Sequence, residues 1–129
     1  MSSPPRAPDG AVRVVICDYN SLLQSVTGLL RMSGYCVFQA YDGLAAKELC
    51  YGLPDIGLLV LNTEGTGANT PEVVRSVRIL CPGLPVIHIG KAAIPGMPED
   101  VLNLPETFSA DQLLAAVRAL VSERGVCPG

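Results

Sequence analysis

At 129 residues, with 49% hydrophobic and 16% charged side chains, the chain has the length of one domain and is too apolar to stay disordered. A formal net charge of −3, with nine Lys and Arg scattered and no basic run, excludes the electrostatic footprint of a nucleic-acid or acidic-membrane binder. The five cysteines, Cys17, Cys36, Cys50, Cys81 and Cys127, form no CxxC pair and accompany a single histidine, His88, so zinc ligation and a disulfide framework are disfavoured.

Reduced thiols packed as small core residues are the expectation. No apolar run approaches membrane-spanning length, and "MSSPPRAPDG" lacks an apolar signal stretch, which points to a soluble cytoplasmic protein. Residues 1–10 and 125–129 read as tails flanking one domain over 11–124.

The first element, "VRVVIC" from Val12 to Cys17, is short and β-branched, a strand. From Ser21 onward, Leu22, Leu23, Val26, Leu29 and Leu30 recur at helical spacing, and Gly34 is a natural stop. "YCVFQA" (Tyr35 to Ala40) reads as the second strand. Asp42 then caps a helix whose apolar face is Leu44, Ala45, Leu49 and Cys50. Ile56 to Leu61 is a third strand, too uniformly apolar to have a solvated face.

Thr70, Pro71 and Glu72 provide a cap, a first-turn proline and an acid near the positive helix end. Val73, Val74, Val77 and Leu80 are the buried stripe expected of that helix. "LPVIHIG" (Leu84 to Gly90) is a fourth strand, within which His88 reads as a core or half-buried residue. "DVLNL" (Asp100 to Leu104) is a weak fifth. Ser109 and Gln112 form a capping box for a last helix with Leu113, Leu114, Val117, Leu120 and Val121 inward.

Strand alternates with helix throughout, which argues for a parallel sheet covered on both faces. In such sheets, chemistry gathers at the carboxyl ends of the strands. Those ends carry Asp18, Tyr19, Asn62, Glu64, Gly90, Lys91, Glu106 and Thr107, which are expected to converge on one pocket.

Taken together, "RVVICDYNSLL", "MSGYCVFQAYDGLAAKELC", "PDIGLLVLN", "LPVIHIG" and "FSADQLLAAVRALV" resemble, in order, the segments of the receiver domain of bacterial response regulators. The resemblance spans Arg13 to Val121. It implies a CheY/flavodoxin-like α/β fold, a doubly wound five-stranded parallel sheet of order 2-1-3-4-5. It also implies where the family's working groups would stand. The acid pair that holds Mg²⁺ falls on Asp18 and Tyr19, the phosphoacceptor on Asn62, and the hydroxyl on Gly90. The Lys-Pro pair falls on Glu106 and Thr107, and the aromatic switch on Asn103. Only Asp18 matches.

An amide nitrogen cannot form an acyl phosphate, Mg²⁺ prefers carboxylate oxygens, and Glu106 sets a negative charge where the family uses a cation. The resemblance, with these departures, implies a degenerate, or pseudo-, receiver. Such a chain is a stand-alone, non-enzymatic interaction module of a two-component phosphorelay, with a vestigial pocket and Mg²⁺ binding lost. Its partner would be a histidine kinase, another response regulator or an output protein, with no nucleic acid and no membrane.

Two alternatives stay open, an active phosphoacceptor using a non-standard residue and a flavodoxin-like anion or nucleotide binder. The second rests on the loop "NTEGTGANTP" leading into a helix N-terminus. Tyr19 is expected to fill the space of the metal. Lys91 is expected as a solvated loop residue, with an ionic plug against Asp18 or Glu106 as the other option. "KAAIPGMPEDV" places Pro95, Gly96 and Pro98 where the family has its fourth helix, so that helix is expected to be shortened or missing. Its loss would leave apolar sheet exposed.

Overall fold

The computed structural model describes residues 12–18, 24–53, 55–62, 69–90, 94–105 and 107–124. In chain order these give β1 (Arg13–Asp18), α1 (Gln24–Met32), β2 (Cys36–Ala40), α2 (Gly43–Gly52) and β3 (Ile56–Asn62), then α3 (Thr70–Leu80), β4 (Val86–Ile89), β5 (Leu102–Leu104) and α4 (Ala110–Arg124). All strand pairs are parallel and the order is β2-β1-β3-β4-β5.

A parallel sheet needs apolar side chains on both faces, because each crossover lays a helix over it. The strands meet that need by alternation. Val15, Cys17, Leu59, Leu61 and Val86 point into one core layer with Ala46, Cys50, Val73, Val74 and Val77 from α2 and α3. Val14, Ile16, Leu58, Val60, Ile87 and Ile89 point the other way, onto Val26 and Leu30 of α1 and Leu113 and Val117 of α4. From Leu58 to Asn62 every residue of β3 is buried; it is the centre of the molecule.

The helix ends follow local chemistry. Asp42 accepts a hydrogen bond from the Ala45 amide at 2.8 Å and caps α2. At α4 the capping box closes: the Gln112 amide donates to Ser109 Oγ at 3.0 Å, and the Ser109 amide donates to Gln112 Oε1 at 2.9 Å. Gly34 stops the chain after α1 with φ at +99°, a conformation that a side chain resists.

Three sequence expectations need correction. The cap of α3 is Asn69, whose Oδ1 accepts from the Glu72 amide at 3.2 Å; Thr70 is already the first helical residue and is buried. Leu80, expected in the buried stripe of α3, is 56% exposed, and Leu44, expected on the inner face of α2, is 63% exposed. In both helices the inward residues are small or β-branched, Gly43, Ala46 and Cys50 in α2 and Val73, Val74 and Val77 in α3. The two leucines lie outside the arc those residues define.

The connection from β4 to β5 holds no helix among the described residues. Turns occupy Pro95–Gly96 and Glu99–Asp100, as the prolines and glycine there dictate. The expected exposure of apolar sheet does not follow, however. Met97 and Val101 pack against the α2/α3 core layer, all of β4 is buried, and the exposed residue of β5 is polar Asn103. Arg78 of α3 fastens the connection, pairing through Nη1 with Asp100 at 2.9 Å while Nε and Nη2 donate to the buried Leu84 carbonyl at 3.0 and 2.7 Å.

Candidate functional site

Because the strands are parallel, their carboxyl ends share one rim. Asp18 closes β1 and Asn62 closes β3, and the two are register partners on adjacent strands, which sets their backbones roughly 5 Å apart. Gly90 follows β4, the next strand, and is buried. The structure thus brings Asp18, Asn62 and Gly90 to neighbouring strand ends. Asn62 is fully buried, at 0% exposure. Tyr19, Glu64, Lys91 and Glu106 lie outside the described residues, as does most of the loop proposed for anion binding; of that loop, Asn69 spends its side chain on the α3 cap. Thr107 is exposed.

His88 has a larger place here than its sequence context suggested. It pairs in register with Leu61 on one side and Asn103 on the other. The residue is 3% exposed, and Nδ1 stands 3.1 Å from Asn103 Oδ1. The Asn103 amide nitrogen meets the Val101 carbonyl at 3.5 Å. A carbonyl oxygen only accepts, so this arrangement puts the proton on Nδ1 and the lone pair on Nε2. Burial lowers the basicity of the ring from its ordinary value of 6.5, against a smaller opposing effect of the Asn103 bond. The imidazole is neutral at pH 7.

The ring leans toward the rim. A Cβ added at Gly90 would stand 3.0 Å from His88 Cε1 and 3.3 Å from Nε2, tighter than ordinary packing. His88 therefore fills the space on the side of Gly90 where a serine or threonine side chain would project. Residues two apart on a strand share a face, so the His-x-Gly spacing carried this signal; what the sequence lacked was the register that sets Asn103 beside His88.

Among the described residues, no group of three His, Cys, Asp or Glu could hold a metal ion. The cysteines Cys17, Cys36, Cys50 and Cys81 are not joined in disulfides. Burial, and secondarily the nearby Cys81, pushes Cys50 up to about 12, so it is an inert core thiol. No helix of the described residues is long and apolar enough to cross a membrane.

No family model matches the sequence, and no curated protein matches it. Solved structures do. A response regulator receiver protein from Sinorhizobium medicae WSM419 superposes with a TM-score of 0.78 at 26% identity, over 88% of this chain and 97% of that one. The receiver domain of the hybrid histidine kinase CckA gives 0.71 at 25% identity, over 84% and 98%. A response regulator receiver domain protein from Clostridium thermocellum gives 0.73 at 21% identity, over 88% and 96%.

The chain has the CheY-like receiver fold. Its strand order follows the receiver pattern, and Asp18 and Asn62 close the first and third strands while Gly90 follows the fourth. Relative to the five-helix receiver pattern implied by the sequence resemblance, the chain has four helices among the described residues, the one between β4 and β5 being replaced by the turns fastened to Arg78.

Proposed function

We propose that this chain is a pseudo-receiver, a non-enzymatic module of a two-component pathway that binds a signalling protein without accepting a phosphoryl group. The observation that carries the reading is Asn62, completely buried at the end of β3 and in register with Asp18. An aspartate buried to that degree would need a cation or several donors to remain charged. A neutral amide needs hydrogen bonds but no counter-charge, and it offers no attacking oxygen for an acyl phosphate.

The donor chemistry of the rim is a poor fit to Mg²⁺. Of the two residues in register at this strand pair, Asp18 is a carboxylate and Asn62 an uncharged carboxamide, whereas Mg²⁺ is held by hard anionic oxygens in octahedral array. Gly90 supplies no hydroxyl, and the His88 ring occupies the room for one. In the sequence, Glu106 adds negative charge where transfer of a phosphoryl group needs positive charge. The partner in this reading is a histidine kinase, another response regulator or an output protein, met in the cytoplasm.

The test is direct. The protein is incubated with Mg²⁺ and acetyl phosphate, and its intact mass is recorded while Mg²⁺ is titrated against the backbone amide spectrum. The expected result is an unchanged mass and no saturable shift at Asp18 or Asn62. A gain of one phosphoryl group, or saturation at millimolar Mg²⁺, would overturn the reading and restore an active phosphoacceptor.

A further inference from the structure

Helix α2 carries an exposed ridge of unusual composition. Its buried residues are Gly43, Ala46 and Cys50, while Leu44 is 63% and Tyr51 50% exposed. Seven residues apart, these two lie within about 20° of one line along the helix, roughly 10 Å from each other. Lys47 flanks that line on one side and Glu48 on the other, each about 50° away. Lys47 is half-buried and Glu48 exposed. Neither makes an ion pair with a described residue, and adjacent residues of a helix do not face one another.

From this geometry we infer that α2 is a self-association surface and that its occupant is the α2 of a second copy of this chain, packed in parallel about a two-fold axis. Such an axis exchanges the two flanks. Leu44 meets Leu44 and Tyr51 meets Tyr51 of the second copy, and Lys47 of each comes beside Glu48 of the other, twice over. The apolar line and both charges are satisfied together, as at the flanks of a parallel coiled coil. An antiparallel pairing would keep each flank on its own side and set Lys47 against Lys47 and Glu48 against Glu48. The inference goes beyond the pseudo-receiver reading and does not depend on it.

Sedimentation equilibrium on the full chain tests the pairing. The wild type is expected to dimerise reversibly, and K47E or E48K, each of which turns two attractive pairs into two repulsive ones, to weaken association about tenfold. An equimolar mixture of the two single variants recovers the dimer, as does the double variant K47E/E48K, since both arrangements oppose unlike charges again. Tyr51→Ala weakens association without touching charge. All of these positions are surface-exposed or half-buried, so circular dichroism is expected to show unchanged helix content. A wild type that stays monomeric to about 1 mM would leave the ridge to a different protein and overturn the inference. So would a dimer indifferent to the charge reversals, or one not recovered by mixing.

Discussion

Among the described residues of the rim, Gly90 and His88 are closely coupled. The glycine is small because the imidazole leans over it, and the imidazole is held there by Asn103 on the next strand. Introducing a side chain by Gly90→Ser is therefore expected to destabilise the fold by about 1–3 kcal/mol through overpacking. Combining it with His88→Ala is expected to cost less than the sum of the two single changes, as contacting residues couple; urea midpoints of the four proteins measure this. His88 also dictates a pH dependence. Its folded-state basicity is depressed below the ordinary 6.5 by burial, so the unfolded chain binds the proton more readily. The stability it contributes is complete above pH 6.5 and is lost as pH falls from there toward the depressed value, at no more than about 1.4 kcal/mol per pH unit. Urea midpoints between pH 7.5 and 5.5 are expected to fall in the wild type and to flatten in His88→Gln. The placement of Asn62 and Gly90 at strand ends was readable from the sequence because strand ends locate themselves by where an apolar run stops. The His88–Asn103 bond was not, since it depends on a register between β4 and β5 that two short strands do not announce.

At the scale of elements, the β4–β5 connection is the chain's main structural departure, and Arg78 is what anchors it. Two of its nitrogens satisfy the carbonyl of Leu84, a residue with 0% exposure, while the third reaches Asp100, whose side chain is 66% exposed. These contacts are unequal. Arg78→Ala strands a buried acceptor and is expected to cost about 1–3 kcal/mol, whereas Asp100→Ala removes a solvent-screened ion pair worth at most about 1 kcal/mol. Chemical denaturation of both variants checks the ranking, and equal losses would show that the ion pair, rather than the carbonyl, holds the turn. That the described part of this connection holds turns in place of a helix was legible in Pro95, Gly96 and Pro98, since proline and glycine act through their own backbones. That the sheet stays covered was not legible, because it depends on Met97 and Val101 packing against the core layer, which the local sequence of a turn does not reveal. The same limit explains Leu44 and Leu80. A helical wheel shows where leucines lie relative to one another, but which arc faces the sheet is decided by how closely the neighbouring helix approaches. Val73 Cγ2 stands 2.8 Å from where a Cβ at Gly43 would be, and that close approach turns Leu44 outward.

Over the whole molecule, the sheet order and the two core layers were readable because alternation of short β-branched runs with capped amphipathic helices leaves few topologies. Each crossover also reverses the helix relative to the strands. Asp42, which caps α2, follows two residues after Ala40, the last residue of β2, so the amino end of α2 stands at the same end of the molecule as Asp18 and Asn62. Two copies aligned side by side along α2 consequently aim their strand ends in one direction, like paired sockets on a single plate. A target with two matching knobs could engage both at once, gaining avidity from one tether point without any stronger individual contact.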